Sequence, residues 1–354
     1  MMFRITTLDG RSSCSKPIGL LASMLRFEGR KSEFTSWFFI FSLIYVILNN
    51  IWLLRTKTVL ETCFQCLYLI NLNVILFWYL KLRSTKKQYS QLIYRFENQT
   101  HCNLDNSEST RRFTSIRNIF SFYFVFVMLF GAFCVAYDPI MTFKKSNDYV
   151  QLGQNLLLSL LNLLCLLNPQ LYNQFLVESC LHIHACWFTV NEYIRLLNNI
   201  DSRLLTIDKV RKVRSMYSIA ADVTEKMNSF LRMPIFVFFN YLIISSFENI
   251  VQVWTVPTVF GIIHILLDLL ILTLITYNTI YIHYLSNECF HDVYSLSYKM
   301  RSVALNNEVQ LFLYRILRSD VGFSFLKISL ITPTFVTSLT SALLTFVLSL
   351  PSLV

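Results

Sequence analysis

"VFGIIHILLDLLILTLITYNTIYI", residues 259–282, decides the fold class of this chain. Its one formal charge is Asp268, with His264 one turn earlier, and nearly everything else is apolar or aromatic. A helix that crosses a bilayer needs about 20 mostly apolar residues, and this run supplies them. Six further runs of that kind lie outward from it: Ser36–Leu54, Cys63–Leu80, Ile119–Tyr137, Gln151–Val177, Met233–Trp254 and Ile328–Leu350. Gln65, Asn71 and Asn73 interrupt the second. The fourth contains Asn168-Pro169, and a proline there bends the helix or marks its exit from the bilayer. Pro333 and several hydroxyls interrupt the last. The expected fold is an all-α integral membrane protein with seven transmembrane helices.

Composition agrees. The 354 residues are 54% apolar and 15% charged, where a soluble domain carries about 25% charged residues. Seven glycines and seven prolines leave room for long helices, and 31 Phe with 18 Tyr suit aromatic belts at the membrane surfaces. The nine cysteines show no disulfide spacing. A short apolar patch, Ile18–Leu25, sits in a basic and polar segment and does not read as a secretory signal. The net charge of +10 is spread between apolar runs, which points to topology and away from nucleic acid.

Lysine and arginine set the orientation. The N-terminal segment and the connections after spans two, four and six hold 26 of the 31 basic residues. The other side holds Arg55, Lys57, Lys144 and Lys145, with Lys327 at the border of the last span. The N-terminus is therefore expected in the cytoplasm and the C-terminus outside, the inverse of a G-protein-coupled receptor. The sequon Asn98-Gln99-Thr100 falls on the cytoplasmic side of this scheme, and a glycan on Asn98 would overturn it.

The cytoplasmic connections carry helical periodicity. Ile194, Leu197, Leu204, Leu205, Val210, Val213, Met216, Tyr217 and Ala220 recur at helical spacing, as do Val309, Phe312, Leu313, Ile316 and Leu317. Spans four and five are thus expected to run on into the cytosol as long helices. Such helices either cap the bundle or pack against other subunits. The resulting division is residues 1–35 as a cytoplasmic segment, 36–283 as spans one to six with their helical connections, 284–326 as cytoplasmic helices, and 327–354 as the last span.

Chemistry-bearing motifs are few. Cys180-Leu-His182-Ile-His184-Ala-Cys186 would share one face on a strand. On the expected helix Cys180 and His184 point one way, and His182 and Cys186 another. Four tetrahedral ligands do not converge, so no metal and no cofactor is expected. Cys63 and Cys66 read as packing. Asn168-Pro169-Gln170-Leu171-Tyr172 matches the Asn-Pro-x-x-Tyr signature of rhodopsin-like receptors, but in the fourth span where that signature belongs to the seventh; it reads as coincidence. No catalytic constellation is visible, and no enzyme activity is expected. Asp268 is costly near mid-membrane, about 2.5–3.5 kcal/mol. It therefore faces either a ligand cavity or a structural partner such as Asn155 or Asn162.

The last span reads "TSLTSALLTF" over residues 337–346. Thr334, Ser338, Ser341, Thr345 and Ser349 form one helical stripe, with Thr337 and Thr340 beside it. Small hydroxyl residues let membrane helices approach and bond across an interface, or bond their own preceding carbonyls. They equally line water-filled pores, and spacing leaves both readings open.

Seven spans, an inside N-terminus, large helical cytoplasmic connections and a short outer C-terminus resemble the insect gustatory receptors. With the odorant receptors these form one superfamily of ligand-gated cation channels. Glu308-Val-Gln-Leu-Phe312-Leu-Tyr-Arg-Ile-Leu317-Arg318 is similar to the family's helix before the last span, where an acidic residue, a Phe and a Leu-Leu-basic ending are usual. The family's last span carries Thr-Tyr, five apolar residues and Gln-Phe. Here Thr340 matches the Thr, Ser341 replaces the Tyr, and Val347 and Leu348 replace Gln-Phe.

The resemblance implies a chemosensory, gustatory-type subunit of a non-selective cation channel in the plasma membrane. It would work as a homo- or hetero-tetramer with related subunits, embedded in lipid, and detect a small-molecule tastant. It implies a central pore lined by the last helix, at Ser338, Thr340, Ser341, Thr345, Val347 and Leu348, with the last two as a hydrophobic constriction. It also implies a ligand cavity in the outer half of spans two to six. The residues there by depth are Tyr68, Tyr137, Asn155, Phe247, Trp254, His264 and Asp268. The competing classes are a G-protein-coupled receptor, a transporter and a non-conducting accessory subunit. No inverted repeat favours transport.

Overall fold

The computed structural model describes residues 40–48, 59–102, 107–146, 149–255, 259–299, 302–318 and 321–349, with Trp37, Ile51 and Leu104. Most side chains of residues 138–168 are outside this description, as is the N-terminal segment 1–35. The described chain is almost entirely helical. Residues 40–48 form α1. It is followed by α2 (Val59–Thr100), α3 (Ser107–Ser146), α4 (Tyr149–Asn199), α5 (Ile207–Thr255), α6 (Val259–Ser297), α7 (Val303–Arg318) and α8 (Pro333–Ser349). A two-stranded antiparallel hairpin, β1 (Ser324–Phe325) and β2 (Ser329–Leu330), separates α7 from α8, with Ser324 opposite Leu330 and Phe325 opposite Ser329.

The helices outrun the apolar runs. Helix α4 has 51 residues and α5 has 49, so the expected continuation of spans four and five as single helices is observed. Scarcity of glycine explains it: hydropathy falls beyond each apolar run, but nothing breaks the backbone ladder. Even Pro169 and Pro234 sit inside unbroken helices. Among the described residues, Thr114–Cys134, Ile207–Ser246 and Val259–Ser297 are long and apolar enough to cross a membrane, and Leu69–Lys81 is a shorter apolar helix.

Helix α4 is the axis. Every residue from Leu171 to Asn191 is buried, against α3, α5 and α6, while α2 packs on α5. Trp187, fully buried, donates from Nε1 to Thr224 Oγ1 at 3.0 Å and meets the Tyr217 ring edge-on at 5.0 Å. Tyr217 in turn meets Phe312 at 5.5 Å, and its hydroxyl lies 3.5 Å from the Ser286 carbonyl. One aromatic chain thus joins α4, α5, α6 and α7. Charged partners surround it: Arg214 contacts the buried Glu308 carboxylate at 2.8 Å, and Arg195 contacts Glu288 at 2.9 Å.

The periodic stripes read from the sequence are buried, with two exceptions. Leu204 is 62% exposed because it lies in the turn between α4 and α5, where helical spacing no longer applies. Leu317 is 70% exposed at the margin of the α7 stripe, in that helix's last turn.

The hairpin was not anticipated. Asn228 Oδ1 accepts from the Ser324 backbone N–H at 2.9 Å, and its Nδ2 donates to Ser324 Oγ at 2.9 Å. Phe325 stacks among Phe236, Phe239 and Phe335. Leu326 and Lys327 adopt φ of 52° and 63°, the left-handed pair that a tight hairpin turn demands and that glycine or asparagine normally supplies. Gly322 lies in a close approach: a Cβ there would sit 3.0 Å from Leu330 Cδ1 and 3.4 Å from His283 Cβ, so those side chains would have to give way slightly.

Truncating Phe312 to Ala should cost about 3–5 kcal/mol, the range for a buried aromatic. Leu317→Ala in the same helix should be nearly neutral. Thermal unfolding of both variants in detergent checks this; equal melting temperatures would contradict the aromatic chain's role.

Candidate functional site

The residues expected to form a ligand site separate into two neighbouring groups. The first is an aromatic ledge between α3 and α6. Tyr137 lies 6.0 Å from Phe260, Phe133 lies 6.1 Å from it, and Phe130 bridges Phe260 at 6.2 Å and His264 at 5.2 Å. His264 donates from Nδ1 to its own helix at the Phe260 carbonyl, 2.9 Å away. Tyr137, Phe133 and Phe260 are 41%, 58% and 37% exposed, so the ledge is an open surface and not an enclosed chamber.

The second group is a polar knot between α5 and α6. Asp268 Oδ2 accepts from Ser245 Oγ at 2.9 Å and from Asn249 Nδ2 at 3.0 Å. Ser245 and Asn249 are one turn apart, so a single face of α5 presents both. The expected partners in span four, Asn155 and Asn162, lie outside the described side chains; among the described residues the partners of Asp268 are in span five. The pair Ser245 and Asn249, spaced i and i+4 in an apolar run, was the sequence signal that could have found them. Asp268 and His264 share one side of α6, so ledge and knot adjoin. The side chains of Tyr68, Asn155, Asn162, Phe247 and Trp254 lie outside the described residues.

A small cavity of about 20 Å³, room for one water, lies elsewhere, where α1, α2, α4 and α5 converge. Leu43, Leu72, Pro169, Asn173, Phe238 and Tyr241 are among its walls; of the expected ligand residues that are described, Tyr137, His264 and Asp268 do not line it. Beside it, Tyr172 donates to the Pro234 carbonyl at 2.6 Å. The Asn-Pro-x-x-Tyr run therefore serves packing between two proline-bearing helices.

The Cys-x-His-x-His-x-Cys run lies on α4 as expected. His184 Nε2 lies 2.8 Å from the Asn278 carbonyl on α6, with its ring edge-on to Tyr281 at 5.2 Å. His182 Nε2 lies 3.7 Å from Glu178 Oε1 on its own helix. Burial, together with the Arg112 guanidinium stacked 3.6 Å over Tyr281, holds the His184 pKa down to about 3.

Helix α8 turns Phe335, Val336 and Leu339 toward the core. Thr334, Ser338, Thr340, Ser341 and Thr345 are exposed on this chain. Thr345 donates to the Ser341 carbonyl at 2.9 Å and Thr337 to the Thr334 carbonyl at 3.0 Å, so part of the hydroxyl set bonds its own helix. The side chains of Val347, Leu348 and Ser349 lie outside the described residues.

Among the solved structures that share this fold are two of one receptor. One is the insect olfactory receptor OR5 from Machilis hrabei, with a TM-score of 0.69 at 10% identity, covering 91% of this chain and 90% of that one. The other is the same receptor in complex with eugenol, with a TM-score of 0.67 at 11% identity, covering 94% and 97%. No protein-family model matches the sequence, and no curated protein matches it.

Replacing Asp268 with Leu strands the Ser245 and Asn249 donors and should cost about 1–3 kcal/mol. Asp268→Asn, which keeps an acceptor, should cost less; detergent melting curves rank the two. His184 gives a pH prediction. It stays neutral when folded but protonates near pH 6.5 when unfolded, so its contribution is complete above that value and drains away as pH falls toward 3. At pH 5 the loss is about 2 kcal/mol. His184→Gln should flatten the fall in melting temperature between pH 7 and 5, and an unchanged slope would assign the acid sensitivity elsewhere.

Proposed function

We propose that this chain is a subunit of a chemosensory, ligand-gated cation channel of the insect chemoreceptor type, in its gustatory branch. The observation that carries the reading is the fold likeness to an insect olfactory receptor, which extends over nine-tenths of both chains. The buried acidic Glu308 and the fully buried Phe312 on α7 support it, since they occupy the positions that carry the family resemblance.

In this reading seven spans place the N-terminus in the cytoplasm and the C-terminus outside. The long lower halves of α2 to α6, with α7, form a cytoplasmic anchor at which four subunits meet. The α8 helices of the four line a central pore in the plasma membrane with Ser338, Thr340, Ser341 and Thr345. Val347 and Leu348 form an apolar constriction there, which gates by excluding water. The ligand is a small molecule, as eugenol is for the neighbour's complex. It binds in the outer half of the bundle around Tyr137, His264 and Asp268, with Tyr68, Asn155, Phe247 and Trp254 at the same depth. It opens the pore by binding the open state better than the closed one.

Cysteines at Ser341 and Thr345 should react with thiol reagents applied from outside and change the current, whereas Leu339→Cys, packed toward the core, should not. A conducting channel indifferent at both exposed positions would rule out α8 as the pore wall. Epitope tags on the two termini, probed on intact cells, check the orientation independently.

A further inference from the structure

The seven apolar runs hold no lysine and no arginine, and their carboxylates are Asp268 and Glu248. A carboxylate persists at membrane depth where something stabilises its charge. Asp268 takes hydrogen bonds from two neutral donors, Ser245 Oγ and Asn249 Nδ2. Both fall on Oδ2. Among the described residues Oδ1 receives no hydrogen bond, and no lysine or arginine pairs with the carboxylate. His264, one turn away, is within electrostatic range, but its Nδ1 is engaged by the Phe260 carbonyl. The Glu248 side chain lies outside the described residues.

Aromatic rings lead up to this carboxylate. Phe126 stacks on Phe130 at 6.3 Å, with planes 3° apart, and extends the ledge along α3 away from Tyr137. One turn further on, Tyr123 is within electrostatic range of Asp268. Ledge and carboxylate therefore run along one seam between α3 and α6. Phe126 and Phe133 are 45% and 58% exposed, so these rings offer open surface. Phe130 lies against His264, and from His264 to Asp268 along α6 is one turn, about 6 Å.

A half-buried carboxylate with an unused oxygen, beside a row of open rings, is complementary to an organic cation that carries a ring of its own. We infer that the ligand of this site is a protonated aryl-alkyl amine, with its ammonium on Asp268 and its ring on the ledge at Phe130 and Phe260. An ammonium–carboxylate contact is a charge-assisted hydrogen bond, stronger than a neutral one, and low polarity at this depth strengthens it further. The rings add stacking and cation–π attraction. The one-turn step sets the ligand's length at about two or three carbons between ring and nitrogen. The inference rests on the ligand-site placement under Proposed function and adds the chemical class to it.

The test is binding to the full chain purified in detergent, read as dissociation constants by isothermal titration calorimetry at neutral pH. The probes are 2-phenylethylamine, its neutral counterpart 2-phenylethanol, and hexylamine, which has the charge without the ring. The aromatic amine should bind about tenfold more tightly than either of the others, or better. Asp268→Asn keeps an acceptor for Ser245 and Asn249; it should erase the amine's advantage and leave 2-phenylethanol binding unchanged. Phe130→Leu should weaken both ring-bearing probes about fivefold and spare hexylamine. Thr273→Val, exposed and lower on α6, should change none of them. Equal affinity of the unaltered chain for 2-phenylethylamine and 2-phenylethanol would overturn the inference, and this measurement needs no variant to fold. An amine preference that survives Asp268→Asn would overturn it too, as would no measurable binding of the amine. Because calorimetry needs no current, amine selectivity in a chain that never conducts sinks the channel reading alone. Current evoked by neutral small molecules in a chain without amine preference sinks this inference alone.

Discussion

The Trp187–Tyr217–Phe312 chain is the contact on which the rest of the molecule depends. Each ring belongs to a different helix, α4, α5 and α7, and the Tyr217 hydroxyl reaches α6. Large rings with fixed geometry bury much area at little rotamer cost, and edge-to-face pairs add about 0.5–1.5 kcal/mol beyond that burial. Hydrogen bonding orients them: Trp187 has one donor and Thr224 receives it. Thr224 itself donates back to the Ala220 carbonyl at 2.8 Å, so the acceptor is held in place by its own helix. Phe312 is also a residue that carries the family resemblance, which explains why a local motif before the last span says something about the whole lower bundle.

That packed end of the bundle connects to α8 through a short hairpin. The hairpin at residues 324–330 is stitched to α5 by Asn228, and the segment leading into it is tied to α6 by His283 Nδ1, which lies 3.0 Å from the Val321 carbonyl. Non-glycine residues at φ above 50° cost free energy wherever they occur. Leu326 and Lys327 hold that conformation because Phe325 and Ile331 on either side are locked into the core. Any rotation of α8 about its N-terminal end must therefore repack Phe325 against Phe236, Phe239 and Phe335.

How much of this was legible follows from the range of each signal. Apolar runs and helical stripes are local, so the helices, their continuation beyond the apolar runs and nearly all the buried stripe could be read from the chain. The hairpin could not: its strands are two residues long and its turn lacks glycine and asparagine, so no turn signature exists. The partners of Asp268 depend on how α5 is rotated against α6, a tertiary quantity; only the i, i+4 pair of Ser245 and Asn249 hinted at it. The ledge around Phe260 was half visible, with Tyr137 and His264 chosen by depth and the intervening Phe130 and Phe133 missed among many phenylalanines.

The two halves of the bundle differ in how they resist change, and in the proposed channel this difference bears on gating. Below, aromatic rings interlock and carboxylates such as Glu308 are buried against arginine; removing one partner leaves a buried charge, so alternative packings there are steeply penalised. Above, the expected ligand region is an exposed ledge beside a polar knot in which a single carboxylate oxygen takes both donors. Moving a two-state equilibrium from 1:99 to 99:1 needs about 5.5 kcal/mol of differential binding. Two hydrogen bonds to a charged group, at about 1.5–3 kcal/mol each, are on that scale. A ligand that competes for Asp268 and exchanges those bonds between states would therefore need little else to shift the equilibrium, provided the lower half stays fixed and the hairpin passes the displacement to α8. The division into a rigid base and a lightly held outer half is thus what the channel reading requires of this fold.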